Sequence, residues 1–113
     1  MKYTEIFKLK DQLEKNNIPH KFIDRKDEYI TVKEAWQILY PDVDAPIDCI
    51  CSCIQTPYSY GGENNLLEIS GLLTDEEYEY DSVVGCLTAE EVFERIKKHY
   101  EKIRRDYENK SED

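Results

Sequence analysis

Basic residues are almost absent from the middle of this 113-residue chain. Between Thr31 and Val92 there is one cation, Lys33, against thirteen carboxylates. Residues 1–30 and residues 93–113 are each nearly balanced, with seven Lys or Arg against six Asp or Glu. The middle therefore accounts for the formal net charge of −10. Because nucleic acids bind proteins largely through neutralisation of their phosphates, this deficit argues against direct binding of DNA or RNA.

Signals of membrane insertion and of catalysis are also missing. No apolar run approaches the roughly 20 residues that span a bilayer, and the first residues contain no apolar signal-peptide core, so we predict a cytoplasmic protein without membrane contact. The chain has no P-loop, G-x-S-x-G, H-E-x-x-H or C-x-x-C motif. Its two histidines, His20 and His99, have no Asp, Ser or Cys at a catalytic spacing. The sequence predicts a protein that is not an enzyme and needs no cofactor.

The four cysteines favour core packing over metal binding. Cys49, Cys51 and Cys53 alternate along an apolar segment, and Cys86 stands apart. Residues two apart in an extended strand are separated by about 6.6–7 Å, which suits neither one tetrahedral zinc ion nor a disulfide. A small thiol packed beneath a helix is the simpler interpretation. We predict reduced, packed cysteines and no metal site, with metal binding by these four as the lesser alternative.

Hydrophobic periodicity and capping motifs predict three helices. Over Thr4–Asn17, one stripe at helical spacing is apolar: Tyr3, Ile6, Leu9 and Leu13. Two capping boxes, Thr74 with Glu77 and Thr88 with Glu91, begin a short helix before residue 81 and a long C-terminal helix. The long helix has its own apolar stripe: Val92, Phe93, Ile96, Tyr100, Ile103 and Tyr107.

Charges along the C-terminal helix are predicted to pair locally. The favourable i,i+4 pairs are Glu91–Arg95, Glu94–Lys98 and Glu101–Arg105. Because carboxylates match the cations there, we expect this charged face to be solvated rather than to bind nucleic acid. The apolar stripe is long enough to extend past the rest of the domain, which allows a homodimer through the C-terminal helix.

Segments between the helices predict an antiparallel sheet. The candidate strands are His20–Asp24, Tyr29–Val32, Ala35–Tyr40, Ile47–Gln55, Leu66–Ser70 and Ser82–Cys86, with one interrupted strand over residues 29–40 as the alternative to the second and third. The segment from residue 47 to residue 55 is apolar on both faces, which predicts a central strand. We therefore predict an α+β fold in which an antiparallel sheet of three to five strands carries the N- and C-terminal helices on one face. Residues 1–108 form a single domain in this prediction, and residues 109–113 form a frayed tail.

The C-terminal half also resembles a known group of chains. The similarity is carried by Tyr58-Ser59-Tyr60-Gly61-Gly62-Glu63, Leu66-Leu67-Glu68-Ile69, Gly71-Leu72-Leu73-Thr74 and the run from Val84 to Ile96. These segments resemble uncharacterised small acidic proteins of Firmicutes and of their phages and prophages. The resemblance implies a mobile-element setting, in which small acidic proteins often bind a host defence or transcription component. It assigns no activity and no functional residue.

The densest acidic segment is the leading candidate for a partner-binding site. Its members are Asp75, Glu76, Glu77, Tyr78, Glu79, Tyr80 and Asp81. Carboxylates steer encounter with a basic partner, and tyrosine is an effective interface anchor. We expect a non-enzymatic protein that docks on a host protein with a basic surface and inhibits it, as a counter-defence or regulatory factor that can imitate nucleic acid. The plainer interpretation of the same residues is a solvated helix start.

A loop between two predicted strands supports an alternative function. Two tyrosines one residue apart can stack on a base, glycines allow close backbone approach, and asparagines supply donors and acceptors. The candidate ligand residues are Tyr58, Tyr60, Gly61, Gly62, Asn64 and Asn65. The alternative is therefore a small-ligand or nucleotide-binding protein that acts as a sponge. The plainer interpretation of this loop is a wide hairpin connection.

Overall fold

Three α-helices and five strands build the fold in the computed structural model, which describes residues 3–111. The elements in chain order are α1 (Glu5–Lys15), β1 (Lys21–Asp24), β2 (Trp36–Tyr40), β3 (Cys51–Gln55), β4 (Leu67–Ser70), α2 (Asp75–Tyr80), β5 (Val83–Leu87) and α3 (Ala89–Ser111). The sheet has the order β1-β2-β3-β4-β5, and every neighbouring pair is antiparallel. The predicted α+β fold is confirmed, and β3 is the central strand.

The hydrophobic core lies between the sheet and the two terminal helices. The first helix buries the stripe predicted for it, including Ile6, Leu9 and Leu13, whereas α3 buries only the first part of its stripe, Val92, Phe93 and Ile96. The facing side of the sheet contributes alternate residues of three strands: Ile38, Tyr40, Cys51, Cys53, Leu67 and Ile69. Ile38 is the register partner of Cys53, which in turn pairs with Ile69. One face of the sheet therefore carries both helices.

Side chains from distant elements hold the start of α1. The first amides of a helix have no partner within the helix, and here the backbone N–H of Ile6 donates to Oε1 of the buried Gln55 on β3, at 3.1 Å. Oδ1 of Asn65 accepts from the backbone N–H of Thr4, at 2.9 Å, and from Nε2 of Gln55, at 2.8 Å. The centre of the sheet and the loop before β4 therefore fix the position of α1.

Two predicted strand segments are wrong. Tyr29–Val32 is not a strand but part of the connection between β1 and β2. The Arg25 N–H donates to the Ala35 carbonyl at 2.7 Å and brings the two ends of this connection together. Residues 47–50 are not part of β3, because Pro46 begins a short 3₁₀ turn, Pro46–Asp48, that leaves Ile47 91% exposed. Proline fixes φ and donates no amide to a ladder, so it favours a turn at this point. Regular pairing of this strand begins only at Cys51.

The last part of α3 extends beyond the core. Val92, Phe93 and Ile96 are buried, whereas residues 101–109 are all exposed. Ile103 and Tyr107, the end of the predicted apolar stripe, are therefore in contact with solvent. The helix continues to Ser111, and residues 112–113 of the predicted frayed tail lie outside the described part of the chain.

Candidate partner-binding site

The segment that leads from β4 into α2 has a constrained backbone. Gly71 and Leu72 both have positive φ, of 88° and 57°. A Cβ atom on Gly71 would lie 2.0 Å from the carbonyl oxygen of Ile50, so the close approach of these two chain segments requires glycine. A left-handed conformation costs a residue such as leucine about 1–2 kcal/mol. Nη1 of Arg95 on α3 donates to the carbonyl oxygen of Leu72 at 3.0 Å and helps to hold this conformation.

Arg95 also binds the start of α2 to α3. Its Nη1 and Nη2 donate to the two carboxylate oxygens of Glu77 at 2.7 and 2.8 Å. Glu77 completes the predicted capping box with Thr74, in which each residue bonds to the backbone N–H of the other. Its side-chain hydrogen bonds with Arg95, together with the Thr74 N–H, lower the pKa of Glu77 to about 2. Glu77 is therefore bound within the domain, and it is the member of the predicted partner-binding segment that forms an ion pair there.

This bond also corrects the predicted pairing along the C-terminal helix. Arg95 bonds to Glu77 from another helix and not to Glu91. Among the described residues, the predicted pairs Glu94–Lys98 and Glu101–Arg105 do not form ion pairs either. The capping box holds the Glu77 carboxylate in a fixed position, so Arg95 gains two aligned bonds there, which a flexible i,i+4 partner does not provide.

The remaining carboxylates of the segment are exposed and are spread around α2, which gives this short helix an acidic surface. We define the α2 face as Asp75, Glu76, Tyr78, Glu79, Tyr80 and Asp81. All six are exposed, and the tyrosine side chains of residues 78 and 80 are 71% and 93% accessible. Within residues 3–111, no lysine or arginine forms an ion pair with any carboxylate of this face. The negative charge is therefore not neutralised inside the domain.

A shallow cleft opens beside the α2 face. The acidic cleft has a volume of about 690 Å³ and is lined by Ser70, Gly71, Leu72, Leu73, Asp75, Tyr78, Glu79 and Ser82. Its lining contains two carboxylates, three hydroxyl groups and two leucines, and no cation. Such a surface suits a lysine or arginine side chain, because the aliphatic stem can lie on the leucines while the charged end meets the carboxylates.

A basic cleft, which sequence reasoning missed, lies on the other side of the same leucines. It has a volume of about 340 Å³ and is lined by Leu72, Leu73, Arg95, Lys98, His99, Lys102 and Arg105. In the part of the chain that the structure describes, Lys98, Lys102 and Arg105 form no ion pair. The sequence does contain a signal for this cleft. Cations recur along α3 at spacings of three and four residues, from Arg95 to Lys98, Lys102 and Arg105, and this spacing places their side chains on one helix face. The i,i+4 spacing of the α3 charges instead predicts local ion pairs.

His99 connects the basic cleft to the core. Its Nδ1 lies 2.7 Å from the hydroxyl oxygen of the buried Tyr40; the hydroxyl donates when the ring proton is on Nε2, and the ring donates when the proton is on Nδ1. Burial, with a smaller effect from Lys102, lowers the pKa of His99. Burial raises the pKa of Tyr40 to about 12, so the phenol keeps its proton at physiological pH.

Most residues of the predicted ligand loop make packing contacts or hydrogen bonds within the fold. A Cβ atom on Gly62 would lie 2.0 Å from the carbonyl oxygen of Thr56, so this glycine serves close packing within the loop. Gly61, with φ of 93°, packs in the same way against the backbone of Cys86. The Asn65 side chain is used by α1, whereas Asn64 is exposed.

The two tyrosines of this loop have different surroundings. Tyr58 lies 5.8 Å from Tyr29 between ring centroids and lines a cleft of about 490 Å³, whereas Tyr60 is not part of that lining. The backbone N–H of Tyr60 donates to Glu68. The structure therefore gives five of the six loop residues contacts within the fold, and the small-ligand function stays a prediction.

The cysteines lie in different surroundings. Cys51 and Cys53 are buried in β3, Cys49 is half-buried before it, and Cys86 is exposed on β5. Burial raises the pKa of Cys51 to about 12 and that of Cys53 well above its ordinary value. Across residues 3–111, no group of three His, Cys, Asp or Glu side chains is arranged to hold a metal ion.

Comparisons with protein-family models, with curated proteins and with solved structures find no significant match to this chain. The resemblance to chains of Firmicutes and their phages therefore stays a prediction. Among the residues that the structure describes, no helix has the length and apolar character needed to cross a bilayer.

Proposed function

We propose that this chain is a non-enzymatic docking protein whose α2 face binds a basic surface of another protein. The observation that carries the proposal is the combination of unpaired carboxylates and exposed tyrosines on one short helix. A cationic surface is attracted by Asp75, Glu76 and Glu79 over a distance of about one Debye length, which becomes shorter as the salt concentration rises. Tyr78 and Tyr80 supply large contact areas with few rotamers to order.

The α2 face is also preorganised for binding. Arg95 holds both ends of the segment 72–77, through the carbonyl of Leu72 and the carboxylate of Glu77. A rigid surface loses less conformational entropy when it binds than a mobile one. In this proposal Glu77 holds α2 in position through its bonds to Arg95 and does not contact the partner.

In this proposal the chain inhibits its partner by covering the basic surface of that partner. A partner that uses lysines and arginines to bind nucleic acid or another acidic ligand loses access to that ligand while the α2 face covers it. This would make the chain an anionic competitor, in line with the counter-defence or regulatory role that the resemblance implies. The net charge of −10 supports such competition without requiring an enzymatic step.

Position-specific photocrosslinking in a Firmicutes lysate tests the proposal. A photoreactive phenylalanine derivative replaces Tyr80 on the α2 face, and the same group replaces Ile30, which is fully exposed in the connection between β1 and β2, as the matched control. We expect a basic protein to be captured from position 80 and not from position 30. Capture should decrease as the salt concentration rises.

Charge variants make the same experiment specific for the α2 face. The patch variant carries Asp75→Asn, Glu76→Gln and Glu79→Gln, and the matched control carries Asp42→Asn, Asp48→Asn and Glu63→Gln, with the same change in net charge. Capture at position 80 should be lost in the patch variant and kept in the control. Equal capture at both positions, or equal loss in both variants, would show that the α2 face is not the docking surface.

A further inference from the structure

The acidic and basic clefts are two halves of one surface. Leu72 and Leu73 line both of them, with Asp75 and Glu79 on one side and Lys98 and Lys102 on the other. Neither set of charges is paired within the described chain. The name bipolar surface is used below for these two clefts and the leucines between them.

We propose that the bipolar surface binds a second copy of this chain in a two-fold symmetric dimer. A two-fold axis near Leu72 and Leu73 places the acidic cleft of each copy against the basic cleft of the other, so the favourable contact is made twice. The two leucine pairs meet at the centre, where water is excluded, and the charged side chains lie around them. This arrangement has the apolar centre and polar rim that are typical of specific interfaces.

Charge complementarity favours a second copy over other occupants. A wholly basic partner that covered both clefts would match the acidic cleft but would be repelled by Lys98, Lys102 and Arg105, whereas a basic partner confined to the α2 face avoids these cations. A wholly acidic ligand would meet the opposite difficulty at Asp75 and Glu79. The chain itself carries both signs in adjoining clefts, and an isologous contact matches both at once.

Local geometry keeps the two clefts in register. Arg95 lines the basic cleft, and it bonds to Glu77 and to the carbonyl of Leu72 beside the acidic cleft. The positive φ of Leu72 turns the chain at the boundary between them. Residues held in such uncommon conformations are concentrated at functional surfaces.

The dimer uses part of the α2 face but does not depend on the proposed basic partner. When both exist, the second copy and the partner compete for Glu79, so dimer formation would regulate partner binding. Lys102→Glu separates the two proposals, because it changes the basic cleft and leaves the α2 face intact. It should abolish the dimer and leave the photocrosslink at position 80 unchanged or stronger.

Sedimentation equilibrium of the full chain tests the dimer with a charge swap. Glu79→Lys and Lys102→Glu are examined alone and as an equimolar mixture, and each substitution appears twice in a two-fold dimer. Each variant alone should dimerise at least about tenfold more weakly than the unmodified chain. The mixture should recover the dimer, because each of its two contacts again joins opposite charges. Glu63→Lys, an exposed charge change elsewhere, is the matched control and should dimerise like the unmodified chain.

Several results would overturn the dimer. The unmodified chain could remain monomeric up to about 1 mM at low salt, a concentration that detects even a weak contact of about 4 kcal/mol. The mixture could stay monomeric, or Glu79→Lys could dimerise as well as Glu63→Lys. A dimer that is lost in Ile103→Ser but kept in Glu79→Lys would place the contact on the exposed end of α3 instead. Far-UV circular dichroism checks that each variant is folded.

Discussion

Replacing Arg95 by methionine should release α2 from the body of the protein. The substitution keeps a long apolar stem but removes two bonds to Glu77 and one to the carbonyl of Leu72. It also leaves the Glu77 carboxylate without its cation. The segment would then be held mainly by the capping box and by its short connections to β4 and β5.

The size of this effect follows from the geometry of the pair. The pKa of Glu77 lies at about 2 instead of 4.5, a difference that would correspond to about 3 kcal/mol if it were fully expressed in stability. The side chains of Arg95 and Glu77 are 23% and 24% exposed, and Thr74 contributes part of the shift. Solvent screening reduces the value, so we expect about 1–2 kcal/mol for the coupling between Arg95 and Glu77.

Amide hydrogen exchange measures this coupling where it acts. The N–H groups of Tyr78 and Asp81 donate to the carbonyls of Thr74 and Glu77, and their protection reports local opening of the helix. Arg95→Met should reduce their protection about tenfold, which corresponds to about 1.4 kcal/mol. Arg95→Lys should show an intermediate loss, because an ammonium group retains the charge but not the bidentate geometry.

The pH dependence supplies a second check on the same pair. Because the pKa of Glu77 is lowered in the folded protein, the unfolded state binds more protons as the pH falls, and the contribution of the pair decreases. The coupling, measured in a double-mutant cycle with Glu77→Gln, should be complete above about pH 5 and should be lost as the pH approaches 2. A coupling below about 0.3 kcal/mol at pH 7, or one that is the same at pH 7 and pH 2, would refute the reasoning.

Three further predictions concern the core and its edges. Tyr40→Phe removes the hydroxyl bonded to Nδ1 of His99 but keeps the burial that lowers the pKa of this residue, so the pKa should stay below its ordinary value in an NMR titration; a rise to the ordinary value would contradict burial as the cause. Gln55→Ala should lower the free energy of unfolding, measured in urea, by about 2–3 kcal/mol, because the Ile6 N–H and the Asn65 Oδ1 lose their hydrogen bonds to the Gln55 side chain. A loss under about 0.5 kcal/mol would show that the bond from Gln55 to the start of α1 is dispensable. In the folded protein a thiol reagent should label Cys86 first, whereas Cys53 should react only on unfolding; early labelling of Cys53 would show that the central strand opens readily.

Much of the fold could be predicted because its local signals agree with its tertiary contacts. Tyr3, Ile6, Leu9 and Leu13 lie on one helical stripe and are all buried. The Thr74–Glu77 capping box begins α2 where the motif predicted it. Alternation along β3 placed Cys51 and Cys53 on the face that the helices cover. In these cases the pattern of residues two to four positions apart is sufficient to predict the helix or strand and its buried side.

The mistaken segments depended on competition that the local pattern does not show. Tyr29–Val32 has suitable residues for a strand, but the bond between Arg25 and Ala35 brings the ends of the segment together and leaves it in a loop. Ile47 belongs to an apolar alternating run, yet Pro46 imposes a turn there. β propensity describes how a side chain fits a half-buried pleated surface, and it cannot indicate whether a neighbouring strand is available.

The candidate site was only partly predictable for a similar reason. The acidic segment was identifiable from composition, and its exposed members lie together on α2. The role of Glu77 was missed because its partner, Arg95, is eighteen residues away and had an apparent partner, Glu91, within its own helix. Spacing alone showed that Lys98 and Lys102 share a helix face, but not that Leu72 would form a cleft beside them.

The central claim is that the α2 face is where this acidic chain meets a cationic surface. An NMR titration of the full chain with a short arginine peptide tests it most directly, with the patch variant Asp75→Asn, Glu76→Gln, Glu79→Gln as comparison. We expect chemical-shift changes to concentrate on residues 70–82 and to disappear in the patch variant. Shift changes of equal size around residues 42–48, or an unchanged response in the patch variant, would contradict it.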